Sequence, residues 1–194
     1  VLRAQVREAR RALSDEEQIR FASQACERAL QVIQEQKASR VAVYLTNDGE
    51  LDTNPLIEIL WQKEIEVCLP RLHPFTAGHL IFLAYTPKST MTKNGLGILE
   101  PKLDIRDVRC VTELDLIITP LVAFDNAGNR MGMGGGFYDR SLANWQTTGR
   151  PLPVGYAHDC QRVAQLPIQH WDVPLPMIIT PSQTLSQPLN HATG

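Results

Sequence analysis

One stretch of the chain concentrates residues that could do chemistry. The run Leu121-Val122-Ala123-Phe124-Asp125 leads through Gly128 to Arg130-Met131-Gly132-Met133-Gly134-Gly135-Gly136-Phe137-Tyr138-Asp139-Arg140. Four glycines fall within residues 132–136, and without side chains their backbone N–H groups can approach an anion closely. The segment follows a predicted buried strand and leads into a predicted helix over 138–145. The start of that helix would add unpaired N–H groups and the positive end of a dipole, a ready site for phosphate. Arg130 can set a guanidinium against phosphate oxygens, and Asp139 can hold a Mg2+ ion that bridges them. The pattern is neither G-x-x-x-x-G-K-[ST] nor G-x-G-x-x-G, so the standard nucleotide fingerprints fail. A tight structural loop would account for the glycines alone, but it needs none of Arg130, Tyr138, Asp139 and Arg140 together.

Other candidates are weaker. Glu50 follows the turn Asn47-Asp48-Gly49 directly after a predicted strand, where open α/β sheets bind ligands. As an exposed turn carboxylate it would carry no function. Asp172 in His170-Trp171-Asp172-Val173-Pro174 reads, on its own, as a turn former. Tyr138 is either a core aromatic or a ligand contact, and Trp61, Trp145 and Trp171 read as packing residues. In His158-Asp159-Cys160, adjacent residues of a strand point to opposite faces, which argues against a catalytic dyad. Cys26, Cys68, Cys110 and Cys160 are widely spaced, with no C-x-x-C pair and no ligand-like spacing to any histidine. Reduced thiols and a cytoplasmic location are the expectation.

The elements that must position these residues read as helices first, then strands alternating with helices. Leu2, Val6, Ala9 and Leu13 recur at helical spacing, with Arg3, Arg7, Arg10 and Arg11 on the remaining surface. That arginine-rich face resembles an RNA-binding stripe, but Glu8, Asp15, Glu16 and Glu17 dilute its field and predict a solvated face. Ser14-Asp15-Glu16-Glu17 is a capping box that starts a second helix running to about Gln36, with Ile19, Ala22, Cys26, Ala29 and Ile33 on one stripe. Val41 to Leu45 is a continuous β-branched run, as expected of a strand buried on both faces. Thr53-Asn54-Pro55 starts a helix that turns Leu56, Ile59 and Leu60 inward. Further strands are predicted over 64–69, 79–85, 114–119, 153–156 and 177–180, with 94–101 as loop. Such alternation favours a mostly parallel sheet with helices on both faces.

The composition agrees. The chain has 194 residues, 43% of them hydrophobic, which suits one globular domain. Its 19 basic and 21 acidic side chains leave a net charge of −2, so no global charge draws it to nucleic acid or an anionic membrane. The longest apolar run, residues 80–85, is far short of the ~18 needed to span a bilayer. The chain begins at Val1 rather than Met, so residues are expected to precede it, and no leftover apolar stripe argues against a monomer.

The run Arg130-x-Gly132-x-Gly134-Gly135-Gly136-Phe137-Tyr138-Asp139-Arg140 after Val122-Ala123-Phe124-Asp125 resembles the signature of the 5-formyltetrahydrofolate cyclo-ligase family. Other blocks agree in order: Leu2-Arg3, Tyr44-Leu45, Gly49-Glu50-Leu51-Asp52-Thr53, Leu69-Pro70, Gly97-Ile98-x-Glu100-Pro101, Gly155-Tyr156-Ala157, Gln161, Pro167, and His170 near Asp172. The resemblance implies a three-layer α/β/α sandwich with a Rossmann-like, mostly parallel sheet. It implies one domain over 1–181, with 182–194 as a polar, frayed tail. It also implies an enzyme that closes 5-formyltetrahydrofolate to 5,10-methenyltetrahydrofolate with ATP as co-substrate and Mg2+ as cofactor, releasing ADP and phosphate through a phosphorylated imidate. Arg130 would be catalytic and, with Gly132, Met133, Gly134, Gly135, Gly136, Phe137 and Tyr138, would bind ATP. Arg3, Leu45, Glu50 and Tyr138 would touch the folate, and Asp139 and Asp172 would hold the metal. Gly135 stands where relatives often carry Lys, and a family lysine three residues before Leu2 would precede Val1. These departures bear on affinity and rate more than on reaction class.

Overall fold

A computed structural model of the protein describes residues 1–132, 136–170 and 172–187. The chain opens with α1 (Leu2–Arg11) and α2 (Asp15–Glu35). Ser14 starts α2 as the sequence predicts: its hydroxyl accepts from the Glu17 N–H at 3.1 Å, and the Glu17 carboxylate accepts from the Ser14 N–H at 3.1 Å. A cap of this kind contributes about 1 kcal/mol. There follow β1 (Arg40–Ala42), α3 (Asn54–Gln62), β2 (Glu66–Leu72), β3 (Leu80–Tyr85), β4 (Met91–Lys93), β5 (Leu99–Pro101), β6 (Val108–Arg109) and β7 (Leu116–Thr119). The last third holds β8 (Ala123–Phe124), β9 (Arg130–Met131), α4 (Phe137–Ser141), α5 (Trp145–Thr148), β10 (Leu152–Tyr156), β11 (Met177–Ile179) and β12 (Thr184–Ser186).

Eight strands form one sheet in the order β12-β11-β10-β7-β1-β2-β3-β6. The five inner strands, from β11 to β2, are parallel, and β12, β3 and β6 join antiparallel at the edges. Side chains alternate between faces. Val41, Leu116, Ile118, Val154 and Tyr156 pack with Ala25, Ala29, Ile33, Leu56 and Leu60 of α2 and α3. Ala42, Cys68, Phe82 and Ile117 meet Leu142 and Trp145 on the other side. The expected α/β/α sandwich with a mostly parallel sheet is therefore what forms. Because both faces are covered, the central strands read as unbroken apolar runs.

Several local expectations differ. Ile19 lies on the α2 stripe but is 72% exposed, because a stripe gives a direction and not a neighbour. On α1 the buried residues are Val6 and Arg10, with Ala9 exposed, so the arginine face is not simply solvated. Residues 94–101 are not all loop: β4 and β5 pair into a hairpin. The helix predicted over 138–145 breaks into two short ones, which lets Leu142 and Trp145 enter the same cluster. Of the expected frayed tail, Thr184–Ser186 form β12, where Ile178 pairs with Leu185 and Leu185 packs beside Leu121 and Phe124, while 188–194 lie outside the described residues.

Candidate functional site

The chain leaves β1 toward α3 and β2 on one side, yet β7 lies on the other side of β1. This reversal opens a crevice at the carboxyl ends of β1 and β7, the place where open α/β sheets bind ligands. A cleft of about 530 Å3 lies there, with Tyr44, Leu45 and Glu50 beyond β1 and Pro120 beyond β7 on its walls.

One wall carries the cationic and glycine-rich segment. Arg130 on β9 has a side chain only 5% exposed and pairs with Asp139 at 2.8 Å. Burial pulls the Arg130 pKa below the usual arginine value, and the nearby Asp139, Tyr138 and Asp172 oppose that pull. The Asp139 Oδ1 atom also accepts from the Val173 N–H at 3.1 Å. Among the described residues both contacts fall on Oδ1 and none on Oδ2. Asp139 therefore does not cap α4, and α4 is five residues long, so its dipole is much smaller than a full helix would supply. Gly136 has φ of +66°, a left-handed conformation that favours glycine whatever binds nearby. At Gly132, by contrast, an added Cβ would meet only Arg130 Nη1 at 3.7 Å, an ordinary contact. Met133, Gly134 and Gly135, expected at the phosphates, lie outside the described residues, as does Trp171.

The opposite wall is the end of the 47–50 turn. Glu50 is 6% exposed, and its Oε1 accepts from the Asn47 N–H at 2.9 Å. Burial raises its pKa to about 7, against the Asn47 hydrogen bond and the Arg10 charge, which lower it. Tyr138 sits across from it; burial and the Glu50 charge together push its phenol well up. Leu45, Phe137 and Arg3 also line the cleft, and Arg3 donates to the Gly132 carbonyl. The cleft thus brings together Arg3, Leu45, Glu50, Arg130, Gly132, Gly136, Phe137, Tyr138 and Asp139.

Asp172 is not on that wall. Its carboxylate closes its own turn by accepting from the Gln169 N–H at 2.8 Å, although its charge reaches Arg130. Among the described residues, no group of three or more His, Cys, Asp or Glu side chains is placed to hold a metal. His158 begins a short 3-10 turn rather than lying in a strand; it is buried against Phe21, and burial lowers its pKa to about 4.

Sequence reasoning missed part of the cleft. Arg71 and Glu100 pair at 3.0 Å in its wall, with Glu100 only 7% exposed, and Leu96 and Ile98 reach in from the β4–β5 hairpin. A carboxylate beside a proline reads as exposed, and its distant arginine partner leaves no local trace. The solvated face expected of the α1 arginines holds for Arg7 and Arg11 but not for the buried Arg10, and all three converge on Asp48.

Comparison with known proteins bears on the family and the fold. The model of the 5-formyltetrahydrofolate cyclo-ligase family matches residues 1–181. A 5-formyltetrahydrofolate cyclo-ligase of Escherichia coli K12 is 55% identical over 178 residues, 92% of this chain and 97% of the relative. One from Haemophilus influenzae is 47% identical over 174 residues, 90% of this chain and 92% of the relative. Among solved structures, the 5,10-methenyltetrahydrofolate synthetase of Aquifex aeolicus is similar with a TM-score of 0.79 and 29% identity, covering 99% of this chain and 96% of that one.

Proposed function

The chain belongs to the 5-formyltetrahydrofolate cyclo-ligase family, a family of ligases, and on that premise we propose that its cleft closes 5-formyltetrahydrofolate into 5,10-methenyltetrahydrofolate at the expense of ATP. The observation that carries this reading is the pairing of two opposed half-sites in one cleft. A buried arginine beside a glycine-rich segment faces a buried carboxylate at the end of a turn. The first suits a triphosphate, and the second suits the N–H donors of a pterin ring.

The chemistry follows from what the substrate lacks. A formamide oxygen is a weak nucleophile, so the γ-phosphoryl group must be held in line and its charge neutralised. The formyl oxygen attacks the γ-phosphorus, its bond to ADP breaks, and a phosphorylated imidate results. N10 of the substrate then attacks the activated carbon, the C–O bond breaks, phosphate leaves, and N10 gives up its proton. No protein nucleophile is required.

In this scheme Arg130 binds the transferring phosphoryl group, and Gly132 and Gly136 keep side chains away from it. Glu50 and Tyr138 orient the pterin, with Arg3 and Leu45 at its edge. Asp139 and Asp172 would hold Mg2+, which would supply positive charge to offset that of the phosphates. Two carboxylates suit that ion, since it takes its other oxygens from phosphate and water. The Oδ2 atom of Asp139, without a partner among the described residues, supports this, whereas Asp172 must first release the Gln169 N–H or bind through its other oxygen. A monomer in the cytoplasm, engaging neither nucleic acid nor membrane, completes the proposal. Among the described residues no helix is long and apolar enough to cross a membrane.

The direct test mixes the protein with 5-formyltetrahydrofolate and MgATP and follows the absorbance of the methenyl product. Product formation that needs both substrates supports the reading. Nucleotide binding without product would make this a regulator that has lost turnover.

A further inference from the structure

Helix α1 touches both halves of the cleft. Near its start, Arg3 donates to the Gly132 carbonyl on the glycine-rich wall. Further along, Arg7, Arg10 and Arg11 reach the Asp48 carboxylate at 3.6, 3.1 and 2.6 Å. Arg10 is the unusual member. Its side chain is fully buried, and its Nε and Nη1 have no hydrogen-bond partner among the described residues. Burying a guanidinium so incompletely paired is costly, so stability alone does not account for it.

What Arg10 packs against is the turn that ends in Glu50. A Cβ on Gly49 would lie 3.7 Å from Arg10 Cγ. Asp48 and Gly49 are both left-handed, with φ of +53° and +72°, a conformation that side-chain-bearing residues rarely adopt. The three arginines hold Asp48 there. The next residue is Glu50, whose N–H donates to the Asn47 carbonyl while its Oε1 accepts from the Asn47 N–H. Glu50 itself lines the cleft.

We propose that Arg10 is a positioning residue for the folate half of the site: with Asp48, its buried guanidinium fixes the 47–50 turn so that Glu50 presents its carboxylate to the pterin ring. This rests on the reading of Glu50 as the pterin acceptor. Charge supports the geometry. Arg10 favours the ionised form of Glu50, Asp48 opposes it, and Tyr44 and Tyr138 face it as neutral phenols. Arg7 lines the same cleft, and the buried His158 beside Arg10 stays neutral near pH 7.

The test compares Arg10→Met, Arg10→Lys, Asp48→Asn and Glu50→Gln by steady-state kinetics at saturating MgATP, from about pH 6 to about pH 9. Asparagine tolerates the left-handed conformation, so Asp48→Asn removes charge while sparing the turn, and it decides the matter if Arg10→Met does not fold. The expected result is a folate KM raised about five- to tenfold in Arg10→Met, with kcat within about twofold and, when MgATP is varied at saturating folate, an ATP KM within about twofold. The midpoint of folate kcat/KM against pH should move upward, Asp48→Asn should shift KM the same way, and Arg10→Lys should recover part of the loss. If Glu50→Gln raises the folate KM while neither Arg10→Met nor Asp48→Asn does, the positioning role is overturned and the Glu50 reading stands. A raised KM with an unmoved pH midpoint would assign Arg10 to packing alone. An unchanged KM in Glu50→Gln would remove the reading of the folate half and this inference with it.

Discussion

Glu50, the proposed pterin acceptor, is kept at a cost to the fold. Its pKa near 7 lies above the 4.5 of an unperturbed glutamate, because burial penalises the charged form. The folded state therefore holds the proton more tightly than the unfolded chain. The resulting stabilisation is complete below about pH 4.5 and is lost as pH rises through about 7, a swing of about 3 kcal/mol. Glu50→Gln should abolish that decline, so chemical denaturation at pH 8 should find the variant more stable while its folate KM rises. A variant no more stable than the parent at pH 8 would show that the carboxylate is not penalised by burial. Asp139 poses the opposite case. It pairs with a nearly buried Arg130 and does not cap a helix, so Asp139→Asn removes a charge on which Arg130 depends. Loss of one partner from such a pair costs about 3 kcal/mol, less here because Asp139 is partly exposed and asparagine still accepts. The variant should melt a few degrees lower and lose kcat by on the order of a hundredfold, with a higher Mg2+ requirement. Near-normal turnover at limiting Mg2+ would leave Asp139 as a structural partner of Arg130. Both residues were legible as candidates from the sequence. Their energetics were not, because burial and the Arg130–Asp139 pair are decided by distant packing.

Among the elements, the β8–β9 hairpin explains residues the glycine pattern only brackets. The Asp125 carboxylate accepts from the Ala127 and Asn129 N–H groups, the Asn129 amide and the Leu166 N–H, while only 2% exposed. Gly128, at φ +85°, lets the turn pass so close that a Cβ would stand 2.3 Å from the Leu175 carbonyl oxygen. The hairpin is thereby tied to the segment that carries Asp172 and Val173, and it delivers Arg130 two residues after the turn. Asp125→Ala should cost about 3 kcal/mol, because one buried and three part-buried donors lose their acceptor at once. It should also lower activity beyond the fraction unfolded, measured by denaturation and turnover on the same sample. Activity in step with the folded fraction would show that the hairpin does not align Arg130. At this scale the long periodic elements were readable: the Ser14 capping box, the α2 stripe from Ala22 to Ile33, and the doubly buried strands. The short elements were not. The pairs β4–β5 and β8–β9 and the strand β12 are two or three residues each, too brief for any periodicity to show. They exist because a partner strand is already in place.

For the whole molecule, the cleft lies where the strand order reverses, and its two walls come from segments far apart in the chain. Turn 47–50 follows β1, while Arg130 and Gly132 come some eighty residues later, joined to it through the Arg3 contact from α1. Ligand that binds only this assembled state must stabilise the entire fold by linkage, by about 2.7 kcal/mol at a hundred times Kd. For a chain of this length, a degree scale of about 2–4 °C per kcal/mol makes that a rise in Tm of about 5–10 °C. Gly132 allows the effect to be assigned to the nucleotide half. In the free protein a side chain there has room, whereas at Gly136 the left-handed backbone would be strained by any residue. Gly132→Val should accordingly melt close to the parent without ligand, yet lose most of the MgATP-induced rise, because the branched side chain occupies space that a phosphate needs. The rise produced by 5-formyltetrahydrofolate alone should persist in the same variant, since Glu50 and Tyr138 are untouched. Scanning calorimetry of the two proteins, with each ligand singly and together, reads all of these quantities. A Gly132→Val protein that keeps the full MgATP shift would place the triphosphate away from this segment and leave Arg130 without its proposed substrate contact.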